Sequence, residues 1–134
     1  MTQAKRIAAS LLLLRIAVFV VMLMWTLDKF VNPGHASRVL EIFFGISGFG
    51  EVAFLIIGAL EMLLILAFVT GSWKRISYGL VLLLHGASTL VSYAQYLDPF
   101  NNLLFFAAWP MLAACITLYA LRDLDTSWVT GWGK

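Results

Sequence analysis

Four stretches of this sequence, roughly 7–27, 52–69, 76–97 and 103–121, stay apolar for close to the ~20 residues that a helix needs to cross a bilayer core. In lipid a backbone segment must satisfy its own hydrogen bonds, so runs of this kind fold as helices unless a barrel closes. The composition agrees. Apolar residues make up 62% of the chain and charged residues 12%, whereas soluble domains carry about 45–50% and about 25%. A soluble protein of 134 residues has too little interior to hide that much apolar surface, so the solvent implied is lipid.

The linkers set the topology. The segments 71–75 and 98–102 are tight turns, which make their flanking helices antiparallel neighbours. The segment 28–50 is longer and opens with the turn signal Asn32-Pro33-Gly34. After it, Val39, Leu40 and Phe43 share one helical face, with Ser37, Arg38 and Glu41 opposite. That pattern predicts a short amphipathic surface helix at about 35–45, hinged to the second span by 47–50. The expected fold is all-α: a single polytopic membrane domain over 1–134, built as an antiparallel four-transmembrane-helix bundle with one surface helix between helices 1 and 2. Lys5 and Arg6 before an apolar stretch resemble a signal peptide. The stretch exceeds the about 7–15 residues of such a region and Arg15 interrupts it, so it reads as a retained first span. Lys5, Arg6, Lys74, Arg75, Arg122 and Lys134 fall on one side, against Lys29 and Arg38 on the other. The positive-inside rule then puts both termini in the cytoplasm. Trp25 and Trp73 suit the two aromatic belts, and Trp128 and Trp132 suit the inner interface.

Three ionisable residues stand inside these runs: Arg15, Glu61 and His85. With about 1.5 Å of rise per residue, they reach nearly one depth: roughly 12, 13 and 14 Å from the inner edge. Arginine cannot shed its proton, and a lone ion in hydrocarbon is costly. Glu61 is the only carboxylate deep in a span, so an Arg15–Glu61 ion pair is expected. It has two readings: a structural clamp that fixes helix register, or part of a ligand or proton site. His85 likewise reads as a core histidine or as a titrating member of the group.

His85, Ser88, Thr89, Ser92 and Tyr96 recur at helical spacing, as do Arg15, Met22, Thr26 and Lys29. Facing each other, these stripes would line a cleft open to the outer side. Its candidate lining is Arg15, Glu61, His85, Thr89, Ser92, Trp109, Trp25 and Lys29. The competing reading is that hydroxyls and small residues only bring helices close in lipid. Pro110 is expected to kink the fourth span near its middle. Lys29 reads as a solvated or snorkelling partner of Asp28, and His35 as solvent-exposed. The net charge of +2 is too small and scattered for a nucleic-acid surface. One cysteine, Cys115, permits no intrachain disulfide, and two histidines without a cysteine cluster point to no metal site.

Several short motifs, in order, resemble the DoxX family of small four-helix membrane proteins: Leu12-Leu-Leu-Arg15, Asp28-Lys-Phe30, Gly58-Ala-Leu-Glu61 and Gly71-Ser-Trp-Lys-Arg75. Phe105-Phe-Ala-Ala-Trp-Pro110 and Leu121-Arg-Asp123 are similar to one bacterial branch. The resemblance covers about residues 5–126. It implies a four-helix bundle with a surface helix after the first span, in the bacterial inner membrane, but no particular activity. Some relatives are subunits of thiosulfate:quinone oxidoreductases, others belong to redox or detoxification systems, and distant ones assist receptor assembly. Relatives that handle thiols would need paired cysteines, which this chain lacks.

Two functions follow as expectations. In the first, the outer cleft binds a lipophile such as a quinone, with Arg15, His85 and Thr89 on its oxygens and Trp109 and Trp25 over its ring. The chain would then be an accessory module of a membrane redox system. Any catalysis would belong to an oxidoreductase complex with a membrane or periplasmic partner, with no covalently bound cofactor. In the second, the chain is a non-catalytic scaffold or assembly factor that docks another membrane protein through Gly58, Gly86, Ala107, Ala108, Ala113 and Ala114. A homo-oligomer is compatible with either. A transporter is less favoured, because four helices without an inverted repeat make a thin pore.

Overall fold

A computed structural model describes residues 1–134 and is entirely helical, without strands. The first helix, α1 (Gln3–Val31), is longer than the apolar run that predicts it. Thr2 caps it by accepting a hydrogen bond from the Lys5 amide at 3.3 Å. Its 29 residues span about 44 Å at 1.5 Å per residue, well beyond a ~30 Å bilayer core. Helix α2 (Pro33–Phe44) takes the place of the expected surface helix. Asn32 caps it through the His35 amide, Pro33 occupies the first turn, and Gly45 ends it in the left-handed conformation. It packs across α1, α3 (Glu51–Val69) and α4 (Lys74–Val91).

The third and fourth apolar runs fold differently from the expectation. The helix expected over 76–97 stops at Val91. Near that end the hydroxyls hydrogen-bond to main-chain carbonyls: Thr89 to His85 at 2.8 Å, Ser92 to Ser88 at 2.9 Å and Tyr96 to Thr89 at 2.8 Å. Such side-chain bonds compete with the backbone ladder. A single turn, α5 (Tyr93–Tyr96), and two 3₁₀ segments (Pro99–Asn101 and Leu103–Ala107) follow before α6 (Ala108–Ala120). Pro110 therefore sits in the first turn of α6, where its missing N–H leaves no bond unmade. It starts a helix rather than kinking one.

Three stretches are long and apolar enough to cross a membrane: α1, α3 and the continuous Leu103–Ala120 segment. Helix α4 matches them in length but is diluted by Lys74, Arg75, Ser77, Tyr78, His85, Ser88 and Thr89. Helix α1 packs on α3 and α6, and α4 on α3 and α6. Leu11, Val18, Met22, Ile65, Phe68, Tyr78, Val81, Cys115 and Leu118 fill the centre. On α1 the buried positions Leu11, Arg15, Val18, Met22 and Thr26 advance by three or four residues and form one stripe. The opposite faces are apolar too: Leu13, Leu60, Leu63 and Leu83 are all more than 60% exposed. A helical protein whose outside is as oily as its inside is suited to lipid.

Beyond α6 the chain doubles back over the end that carries the N-terminus. The Thr130 amide donates to the Thr70 carbonyl at 3.0 Å, and the Trp73 amide to the Trp132 carbonyl at 2.9 Å. The Ser72 and Thr130 hydroxyls meet at 2.7 Å. Gly71 makes this seat possible. Its φ is +65°, and a Cβ there would stand 2.5 Å from Val129 and 3.3 Å from Arg15 Nη1. Gly71→Ala is expected to lower stability by about 1–3 kcal/mol, from left-handed strain alone, and to loosen the tail. Thermal unfolding in mild detergent with limited proteolysis checks this: earlier cleavage within 123–134 is the expected companion of the lower midpoint.

Candidate functional site

The side chains expected to meet at one depth divide into two groups. Arg15 lies level with the α3–α4 turn and is completely buried. Its Nη1 donates to Asp125 Oδ2 at 2.7 Å and to the Tyr78 hydroxyl at 3.1 Å. Its Nη2 donates to the carbonyls of Ser127 (2.7 Å) and Trp128 (3.1 Å). Tyr78 in turn donates to Asp125 Oδ2 at 2.6 Å. The guanidinium thus has an anion, a hydroxyl and two main-chain carbonyls around it, and only Nε is left without an acceptor. The Lys74 amine closes the network from outside by donating to the main-chain carbonyls of Arg122 and Asp125.

The expected Arg15–Glu61 pair is therefore replaced. The anion that meets Arg15 comes from the tail, 110 positions away. Glu61 instead faces Lys29, whose Nζ stands 3.0 Å from Oε2, and accepts a 2.8 Å hydrogen bond from Thr26. Both members of this pair keep some exposure, 19% for Lys29 and 13% for Glu61. The pairing expected between Lys29 and Asp28 is replaced as well: Asp28 contacts His35 Nδ1 at 2.6 Å, with His35 half-exposed. Every deep charge is locally matched, but by different partners than depth alone suggests.

The second group gathers at the opposite end, about 15 Å along α1 from Arg15 by helical rise. His85 is buried, and its ring stacks on Trp25 at 5.9 Å between centroids and 24° between planes. Its Nε2 lies 3.0 Å from the Ala108 carbonyl and 3.3 Å from the Thr89 hydroxyl. Thr89 already donates its proton to the His85 carbonyl at 2.8 Å, so both neighbours of Nε2 act as acceptors and Nε2 carries the proton. That leaves Nδ1 as a bare acceptor, buried and with no donor near it. Tyr96 bridges to the other wall, bonding the Thr89 carbonyl and lying 5.2 Å from the Trp109 ring. Of the expected cleft residues, Trp25, His85, Thr89 and Trp109 are linked by these contacts. Ser92 is buried beside them with its hydroxyl bonded to Ser88. Glu61 and Lys29 neighbour them through α1. Arg15 is not part of this group.

Two of the glycines expected to meet a partner protein face inward. Gly58 is buried against the Phe30 ring, and Gly86 faces Leu112. Asp125 and Tyr78 are the residues that sequence reasoning misses. A signal existed for Asp125: it is a second carboxylate just past Asp123, in a tail rich in tryptophan and hydroxyl residues. Compared with known proteins, the chain matches no family model, no curated protein and no solved structure.

Removing Asp125 should strand a buried guanidinium, a loss of about 3–5 kcal/mol. Replacing both ions, as in Arg15→Met with Asp125→Leu, should recover most of it, since such pairs exchange for apolar side chains at little net cost. A double-mutant cycle on unfolding free energy checks this. A large coupling for Arg15 with Asp125 and none for Arg15 with Glu61 is expected.

Proposed function

We propose that this chain is a DoxX-like protein of the bacterial inner membrane, with α1, α3, α4 and Leu103–Ala120 as four antiparallel spans and both termini in the cytoplasm. In this reading it serves as an accessory module of a membrane redox system and holds a quinone or its quinol beside His85, at the end away from the termini. The supporting observation is the buried, unpartnered Nδ1 of a histidine already stacked on tryptophan. An unmatched polar atom in a dry site is costly, and a hydroxyl donor from a ligand relieves it. Quinol hydroxyls supply such a donor on a flat ring.

The rest of the site is read in the same terms. Trp25 and Trp109 are each nearly half exposed and offer aromatic faces to a ring entering from the lipid. The Lys29–Glu61 pair sets the local field without adding net charge, which suits a neutral ligand. No second histidine lies near His85 to hold a haem, so electrons would pass to a partner subunit that carries its own redox group. The inward placement of Gly58 and Gly86 removes part of the support for a scaffold role.

Native mass spectrometry after gentle extraction, with quenching of tryptophan fluorescence by a short-chain quinol, tests the reading. Loss of one buried hydrogen bond is worth about 0.5–1.5 kcal/mol, so His85→Leu should weaken binding by up to about tenfold. Trp25→Ala should weaken it further, while the Arg15→Met/Asp125→Leu protein should bind as the parent does. A parent protein that carries no lipophile and shows no quenching would sink the proposal.

A further inference from the structure

A groove lies on the lipid-facing side of α1, at the end opposite His85. Its walls are Leu12, Ile16, Phe19 and Val20 of α1, Val69 and Thr70 at the end of α3, and Trp128–Thr130 of the tail, with Arg15 between them. It is a shallow, open depression of about 610 Å³, a shape suited to a chain lying along the surface rather than to an enclosed small molecule. We propose that it is a lipid site: one acyl chain of a diacyl glycerolipid lies along α1 from Leu12 to Val20, and an ester carbonyl of that lipid is held at Arg15.

Four observations converge on this occupant. The first is depth. Helix α3 ends at Val69 and the chain turns at Gly71, so Arg15 and Thr70 mark the boundary of the apolar zone, where the ester groups of a bilayer lie. The second is charge. Arg15 is already neutralised by Asp125 at 2.7 Å, so the site does not call for a phosphate. What remains is the single Nε–H, buried and without an acceptor. Such a donor fits a neutral carbonyl.

The third is shape and polarity. Leu12, Ile16, Phe19 and Val20 follow helical spacing along one face, a path of about 12 Å at 1.5 Å per residue, and they offer no polar atom to a ligand's tail. The fourth is the rim. Trp128 is 81% exposed and held at a positive φ of +51°, and its carbonyl accepts a hydrogen bond from Arg15. An exposed indole at this level is suited to the headgroup region. The inference stands apart from the quinol site, which shares none of these residues.

The test uses the full chain in phosphatidylcholine vesicles doped with a phosphatidylcholine that carries a photoactivatable group in its acyl chain. Peptide mapping after irradiation should show adducts concentrated on 12–20 and 128–130, several-fold above those on the plain lipid-facing surface at Leu60 and Leu63. Ile16→Trp, which fills the groove without touching the Arg15 network, should remove that excess. Val20→Phe, at the far end, provides a second blocking variant should the first unfold. Labelling spread evenly over all exposed apolar faces and unchanged by both substitutions would overturn the proposal. So would adducts displaced by a short-chain benzoquinone but not by excess unlabelled phosphatidylcholine, because the groove would then be a quinone site.

Discussion

The fold is organised around one requirement: a guanidinium enclosed among apolar helices must have acceptors, because it stays charged at any accessible pH. The chain meets it with its own tail. Asp125 supplies the anion, Tyr78 braces that anion from α4, and the carbonyls of Ser127 and Trp128 take the remaining pair of Nη protons. An ion pair alone rarely repays desolvation, and buried pairs become tolerable when their other hydrogen bonds are also made. This one has three further acceptors for that purpose, and only Arg15 Nε and Asp125 Oδ1 stay without a partner. The cost is topological. The contact joins residue 15 to residue 125, so satisfying the arginine requires α6 in place and the chain returned past the α3–α4 turn. A contact of such sequence separation carries a large loop-closure entropy. The tail is thus part of the fold, fixed further by the backbone bonds from Thr130 to Thr70 and from Trp73 to Trp132.

Lipid-facing helices carry little information in their apolar positions, since nearly any large aliphatic residue serves inside or outside. The polar minority specifies the arrangement. Arg15, Val18, Met22 and Thr26 share one buried stripe of α1, and the polar members of that stripe choose its neighbours. Arg15 selects α4 and the tail, while Thr26, through Glu61, selects α3. Exchanging the two anions would turn or slide α1 by about three turns, so the pairings fix its register more firmly than its leucines do.

How far the sequence discloses this varies along the chain for identifiable reasons. The α3 run is bounded by Gly50 on one side and by Thr70-Gly71 on the other, and its helix begins and ends within a residue of those signals. Asn32-Pro33-Gly34 likewise announces α2. The end of α4 is less visible, because whether Ser92 extends a helix or ends one depends on where its hydroxyl bonds. The Arg15 partner is hidden for a different reason. The depth argument takes the edge of the membrane at Ile7, whereas α1 begins at Gln3 and overshoots its neighbours, so Arg15 is nearer the boundary than its place in the apolar run suggests. The tail's tryptophans and second carboxylate hint that it is not a free end, but a linear pattern does not say which buried group it returns to. His85, Thr89 and Trp109 are legible as neighbours because helical spacing and a short turn are local facts. Arg15 and Asp125 meet through tertiary structure alone.

The two polar groups differ in how closely the fold encloses them. Around Arg15 the enclosure is nearly complete: Arg15 and Asp125 have no exposed side-chain surface, and the strap over them is bonded through its main chain. Opening that end would break several hydrogen bonds at once. At the other end Lys29 and Glu61 are partly exposed, Trp25 and Trp109 are nearly half exposed, and α4 has already given way to a single turn and 3₁₀ segments. Elements with few buried contacts open at low free energy. Side-chain movement is therefore enough to expose His85, whereas uncovering the Arg15 Nη groups would require lifting the tail.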